Sequence, residues 1–487
     1  MRATSFGSRN GRVREPNAGL RRAAAVLAVA WLAGACGSTT SPTSPGSPAP
    51  GVTPFPPGDP ASLTPYLVRD IRPGADSSMS DGYAGQFFPF RGRVLFVADD
   101  GAHGLELWET DGTGAGTRLV ADICPGPCSS NPTWFCPYGD EVLFQATDET
   151  HGQELWKTDG TAAGTELVLD IRPGPDSGAP SMFARQGDRV LIDVLEPDYS
   201  IELWSTDGTA AGTRFIRKIS PARAAQGRWQ VVGDLVFFAT DDGVSGNELW
   251  ATDGTYEGTR LVKDIAPGPE DGVGVLQGAA LDGVLYFSAR SRAAVPPELW
   301  RSDGTGRGTY SLGVLTPGAP MVASAGLLFF GAGEALGRLE LWKTDGRGRG
   351  TALVSPIQPG AMVDWRGRLF LSGEDARYGQ ELWKTDGSAE GTVLLADIAP
   401  GAAHSSPHGF FAHGDELFFS AYDPSHGTEL WRTDGSAGGT RLVADIQPGT
   451  GSGLSSSFRG GLGFGDRIFF VASDGASGEE LWAYRPR

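Results

Sequence analysis

The triplet Glu-Leu-Trp recurs nine times in this chain, ending at Trp108, Trp156, Trp204, Trp250, Trp300, Trp342, Trp383, Trp431 and Trp482. Successive copies stand 41 to 51 residues apart. That is room for one supersecondary unit and too little for an independent domain, so the units must stack on one another to bury a core. Eight copies run on into a hydroxyl residue, then Asp-Gly, then Gly-Thr three residues later, beginning at Thr110, Thr158, Thr206, Thr252, Ser302, Thr344, Thr385 and Thr433.

Each repeat offers four short apolar runs. In the eighth they are 409–412 (strand a), 416–420 (b), 429–433 (c) and 441–446 (d). Aromatic and branched residues fill the runs and turn residues separate them, the pattern of strands joined by hairpins. The 72 glycines and 34 prolines suit many tight turns and oppose long helices, while 40% apolar residues supply a core. Four strands per repeat is one β-propeller blade. The ninth repeat lacks strand d, and residues 66–71 form an orphan strand d ahead of the first repeat. Moving the orphan onto the last repeat gives nine blades and no open edge. The expectation is therefore an all-β propeller closed by its N-terminal strand. Eight blades with an irregular extra repeat is the alternative.

These copies, spread over residues 66–487, resemble the bacterial ELWxxDGT-repeat proteins. The resemblance implies an exported protein of propeller type and implies no established activity. Departures are local: Arg347, Ser388 and Ser436 replace the Thr after Asp-Gly, the loop before Glu202 is short, and residues 483–487 lack the hairpin.

Residues 1–35 combine an Arg-rich start with an apolar stretch ending in small residues, a secretory signal. Leu32 to Cys36 resembles a lipobox, although the usual Leu position before the cysteine holds Ala33. Cys36 is the lipidation candidate; ordinary cleavage near Ala35, giving a periplasmic or secreted protein, is the alternative. Residues 36–65, rich in Pro, Ser and Thr, read as a tether. The net charge of −18 disfavours nucleic acid. The expected partner is a protein or glycan at the cell envelope, with membrane association through the lipid alone.

Side chains alternate along strand c, so Glu and Trp share one face and Leu takes the other. The tryptophans are expected to fill the cores between blades. The glutamates are expected to accept hydrogen bonds from loop amides or from the Thr hydroxyls of their own hairpin; metal binding and catalysis are the sharper alternatives. Asp-Gly-Thr suits a side-chain-capped turn. No cofactor is expected, with calcium the alternative. Asp100, Asp148, Asp242, Asp423 and Asp474, ahead of the triplet, are the metal candidates. Another acidic set ends strand d (Asp70, Asp122, Asp170, Asp264, Asp397, Asp445) and is broken by Lys218, Val314 and Pro356. Up-and-down connectivity places the b–c and d–a loops on one rim and the Asp-Gly-Thr hairpins on the other. The d–a connections at 75–85, 127–132, 175–180, 269–274 and 402–407 vary most, which makes that rim the expected functional face.

Cys124, Cys128 and Cys136 stand close enough for one local disulfide with one thiol left over. The histidines at 103, 151, 404, 408, 413 and 426 sit in loops, and no nucleophile elbow, zinc-protease motif or phosphate loop occurs. A binding module is the leading expectation. An extracellular hydrolase or lyase and a calcium-stabilised surface module are the alternatives.

Overall fold

The computed structural model describes residues 64–79, 87–220, 229–313, 316–333 and 338–486. The signal segment and Cys36 lie outside them. Within the unit 33–487 the described residues form nine four-stranded antiparallel sheets, each pairing a to b to c to d in order. Blade 1 comprises Phe88–Phe90, Arg93–Asp99, Leu105–Thr110 and Arg118–Ala121. A three-residue 3₁₀ turn, Gly348–Gly350, is the helical element among the described residues.

The ninth sheet joins both ends of the chain. Tyr66–Arg69 pairs antiparallel with Glu480–Tyr484, with Tyr66 opposite Ala483 and Leu67 opposite Trp482. The orphan strand thus completes the last blade, and the ring has nine blades. The a strands of neighbouring blades pack on one another, so they surround the axis and the d strands lie outermost.

The cores lie between blades. Trp108 packs with Val68, Phe469 and Leu481 of blade 9, whereas Leu107, pointing the other way, packs with Val142 and Phe144 of blade 2. Each motif therefore ties one blade to both neighbours. Trp108, Trp156, Trp250, Trp300, Trp383 and Trp482 are buried; Trp204, Trp342 and Trp431 are partly so. The c–d register slips between the motif Leu and Trp in all eight complete copies, a bulge that turns one d residue inward: Leu107 faces Ala121 but Trp108 faces Leu119, and Val120 between them is buried.

The Asp-Gly-Thr hairpin closes itself with hydroxyls. In blade 1 Asp111 Oδ1 accepts from the Thr113 amide at 2.9 Å and its hydroxyl at 2.7 Å, while Thr110 and Thr117 hydroxyls meet at 2.7 Å. A Cβ at Gly116 would collide with the Asp111 carboxylate, which explains the second glycine. Ser388 and Ser436 keep the hydroxyl, donating to Asp386 at 2.7 Å and Asp434 at 2.6 Å. Arg347 has none, and there the 3₁₀ turn closes through the Gly350 amide on the Arg347 carbonyl.

Candidate functional site

The b–c and d–a loops share a rim, since the amide of Asp99, where strand b of blade 1 enters the b–c loop, donates to Ser78 O in the d–a connection entering that blade. Here the motif glutamates act. Glu106 is fully buried, and its carboxylate accepts from the amides of Ile123 at 3.0 Å, Cys124 at 3.2 Å and Ser130 at 3.0 Å, and from the Ser130 hydroxyl. It pins the d–a loop onto its own blade. Glu381 does the same for Ile398, Ala399 and Ser405. Glu480 reaches across the closure to Ile71, Arg72 and Ser78. Glu154, Glu248 and Glu429 complete a set of six. The partners are loop amides, not hairpin hydroxyls, which bond one another. Burial raises the carboxyls of Glu106, Glu154, Glu248, Glu429 and Glu480 to about 7, against the pull of these donors, and raises that of Glu381 as well.

Blades 3, 5 and 6 break this scheme. They are the blades in which Lys218, Val314 and Pro356 replace the aspartate ending strand d. Blades 5 and 6 pass from strand d to the next strand a with almost no loop: Tyr310–Gly313 is followed by Thr316–Ser324, and Ala352–Ser355 by Gln358–Trp365. With almost no loop amides to bind, Glu298 and Glu340 stay partly exposed, as does Glu202 of blade 3. Glu202 turns back to accept from Trp204 Nε1 at 3.0 Å, and Glu298 accepts from Ser311 Oγ. Beside the opened sector a cleft of about 110 Å³ lies between blades 5 and 6, lined by Gln277, Ser288, Arg290, Pro297, Pro317 and Met321 among others. A larger cavity, about 340 Å³, is formed on the hairpin side by Trp365, Arg366, Arg368, Lys384 and Asp434. Its cations are partly spent: Arg366 pairs with Asp415, and Lys384 donates to the Gly435 carbonyl at 2.7 Å.

The five metal candidates are held apart, one per blade, each consumed by its own turn. Asp100 accepts from the Ala102 and His103 amides at 2.9 Å and contacts His103 Nδ1 at 2.8 Å. Asp148 and Asp423 repeat the arrangement with His151 and His426, while Asp242 and Asp474 use Ser245 and Ser477. Among the described residues no three His, Cys, Asp or Glu side chains gather to hold a metal ion. Cys124 and Cys128 form the one local disulfide expected; Cys136 is buried, and among the described residues no cysteine is free, so the expected left-over thiol is not found there. Sequence reasoning missed Asp193, within strand b of blade 3, where burial pushes the carboxyl up to about 7 beside Ser181 and Trp229. Its signal was a carboxylate inside an otherwise apolar run, Arg189–Leu195.

The fold and its rim define a nine-bladed β-propeller in which six motif glutamates hold d–a loops and blades 5 and 6 have almost none. No family model and no curated protein matches the chain. Among solved structures it is similar to a puromycin hydrolase (17% identity, TM-score 0.34, 71% of this chain and 58% of that one). A prolyl endopeptidase matches at 13% identity with a TM-score of 0.39, over 65% of this chain and 50% of that one. The β-propeller domain of the Trilobed protease from Pyrococcus furiosus, described as having an open velcro topology, matches at 14% identity with a TM-score of 0.32, over 64% of this chain and 97% of that domain. The chain thus spans between half and three fifths of the two enzymes' length.

Proposed function

We propose that this chain is an exported, lipid-anchored member of the ELWxxDGT-repeat proteins that binds a protein or glycan at the cell envelope, with the loop rim at blades 5 and 6 as its contact face. The supporting observation is the break in an otherwise uniform rim. Six blades spend their glutamate on holding a loop, while blades 5 and 6 have almost no loop, leave Glu298 and Glu340 partly exposed, and flank a cleft carrying Gln277 and Arg290. A rigid scaffold with one irregular sector is where a recognition surface belongs. Glycan arrays and envelope pull-downs test it: Arg290→Ala with Gln277→Ala should abolish capture, and Ala162→Arg on the opposite rim should leave it intact. Equal capture by both variants would defeat the reading. Cell fractionation of Cys36→Ser tests the anchor, which should be lost from the membrane fraction.

Asp193 favours a second reading, an extracellular hydrolase or lyase. A buried carboxyl near neutrality can act as a general acid or base. Asp193→Asn would then abolish turnover in a substrate screen while the melting temperature holds.

A further inference from the structure

At three junctions the protein seats one of its own cations between blades. Arg69, on strand d of blade 9, stands over the Trp108 ring at 5.8 Å and donates to the Thr117 carbonyl at 2.6 Å. Arg217 of blade 3 sits 5.6 Å from the Trp250 centroid and donates to Thr259 O at 2.8 Å. Lys263 of blade 4 sits 5.7 Å from the Trp300 centroid and donates to Thr309 O at 2.6 Å. The geometry is the same each time: an aromatic face from the next blade's motif and a carbonyl from the end of its hairpin, the pairing that suits an organic cation.

The register identifies the equivalent place at every junction, because the residue concerned lies opposite the motif Leu. Arg69 faces Leu481, Arg217 faces Leu203 and Lys263 faces Leu249. Ala121, Ser355 and Ala396 face Leu107, Leu341 and Leu382. There the side chain is too short to reach the next blade. The burial of the two receiving groups follows. Where a cation is seated, Trp108, Trp250 and Trp300 are 3%, 5% and 7% exposed, and Thr117, Thr259 and Thr309 are 0%, 1% and 0% exposed. Where it is missing, Trp431 and Thr165, Thr392 and Thr440 are partly exposed, while Trp156 and Trp383, at 9%, stay nearly as buried as Trp300. Among the described residues no other cation stands over these three rings. Their hairpins also carry Asp159, Asp386 and Asp434, whose carboxyls are kept below the usual range by hydrogen bonds from Thr161, Ser388 and Ser436. Each notch therefore has an aromatic wall and a hairpin carbonyl, while Lys343 and Lys384 reach two of these hairpins elsewhere, at the Gly387 and Gly435 carbonyls.

We propose that the outer notches at Ala121, Ser355 and Ala396 receive the guanidinium or ammonium groups of a basic peptide, which take the place that Arg69, Arg217 and Lys263 hold at the sealed junctions. These sites end strands d and use none of the residues lining the cleft between blades 5 and 6, so variants at Arg290 and variants at the notches report on the two readings separately.

The test uses the full chain and a fluorescein-labelled hexa-arginine peptide, followed by anisotropy at about 150 mM salt, where the Debye length is ~8 Å and long-range attraction is screened. The triple variant Ala121→Arg, Ser355→Arg, Ala396→Arg supplies the missing cations. The triple variant Ala162→Arg, Ala389→Arg, Ala437→Arg adds the same charge at exposed hairpin positions. Filling the notches should weaken binding roughly tenfold, the control less than about twofold. No binding by the unmodified chain, or equal loss in both triples, overturns the proposal. An opposite measurement covers failure of the filled variant to fold: Arg217→Ala opens a further notch and should bind more peptide at saturation than Arg214→Ala, an equal charge change at an exposed position of the same strand. Equal or weaker binding by Arg217→Ala refutes it.

Discussion

One residue type meets two fates around this ring, and the backbone offered to it decides which. Glu106, Glu154, Glu248, Glu381, Glu429 and Glu480 are sealed under d–a loops, and burial lifts their carboxyls, five of them to about 7. A carboxyl whose folded pKa exceeds its unfolded value of ~4.3 binds its proton more tightly in the folded state. Its stabilisation is complete below the unfolded value and is lost as pH rises through about 7. His103, His151 and His426, raised by the hydrogen bonds they donate to Asp100, Asp148 and Asp423, act in the same direction. The melting temperature should therefore fall by several degrees between about pH 5 and pH 8, and Glu154→Gln should flatten that slope. A melting temperature that climbs over this range would contradict the assignment. Glycine gives a second prediction at this scale. Gly152 and Gly174 both have positive φ, 68° and 106°, but a Cβ at Gly152 would lie 2.8 Å from Pro175 O in the d–a loop, whereas nothing lies within 4 Å at Gly174. Gly174→Ala should cost about 1 kcal/mol of backbone strain and Gly152→Ala about 2–4 kcal/mol, measured by denaturant unfolding.

At the level of strands and turns, nearly everything was legible because the repeat states it nine times. The eighth blade's four runs appear as His408–His413, Glu416–Asp423, Gly427–Thr433 and Arg441–Ala444. Strand d ends early because Asp445 and Ile446 leave the ladder, the Ile446 amide going to Glu429. The alternation of Glu, Leu and Trp also correctly separates the two faces of the blade. The breaks at Lys218, Val314 and Pro356 were visible as letters, but their consequence was not: a freed glutamate depends on amides some 17 to 24 residues away in sequence, which a reading of strand c alone cannot weigh. The notches over Trp156, Trp383 and Trp431 were hidden for a similar reason, since their walls come from two blades. The aspartates before the triplet looked like calcium ligands, yet each is satisfied by amides within three residues. Chelator should accordingly leave the melting temperature unchanged; a fall of several degrees would restore the calcium reading.

For the molecule as a ring, stability turns on the one junction made by segments distant in sequence. Eight blades are built from consecutive strands; the ninth is completed by Tyr66–Arg69. That strand contributes Val68 and, just beyond it, Ile71 to the core shared with blade 1, places Arg69 over Trp108, and is followed by the Ile71 and Arg72 amides that occupy Glu480. Deleting residues 1–71 would uncover the edge of Glu480–Tyr484, strip a partner from Trp108 and leave a buried carboxylate short of donors. An unpaired edge next to an exposed apolar seam is a template for another chain. The shortened chain is expected to self-associate on size exclusion and to melt well below the full chain. A synthetic peptide of residues 64–74 should dock by strand addition and return both properties toward those of the full chain, because it carries the ladder, the core residues and the Glu480 donors together. Peptide in which Val68 is replaced by Asp should fail, since that side chain is 7% exposed in the intact ring and its charge would be buried unpaired. Unchanged elution and melting after the deletion would mean that the wheel holds without its clasp, and that the closing strand is an ornament of the fold and not its fastening.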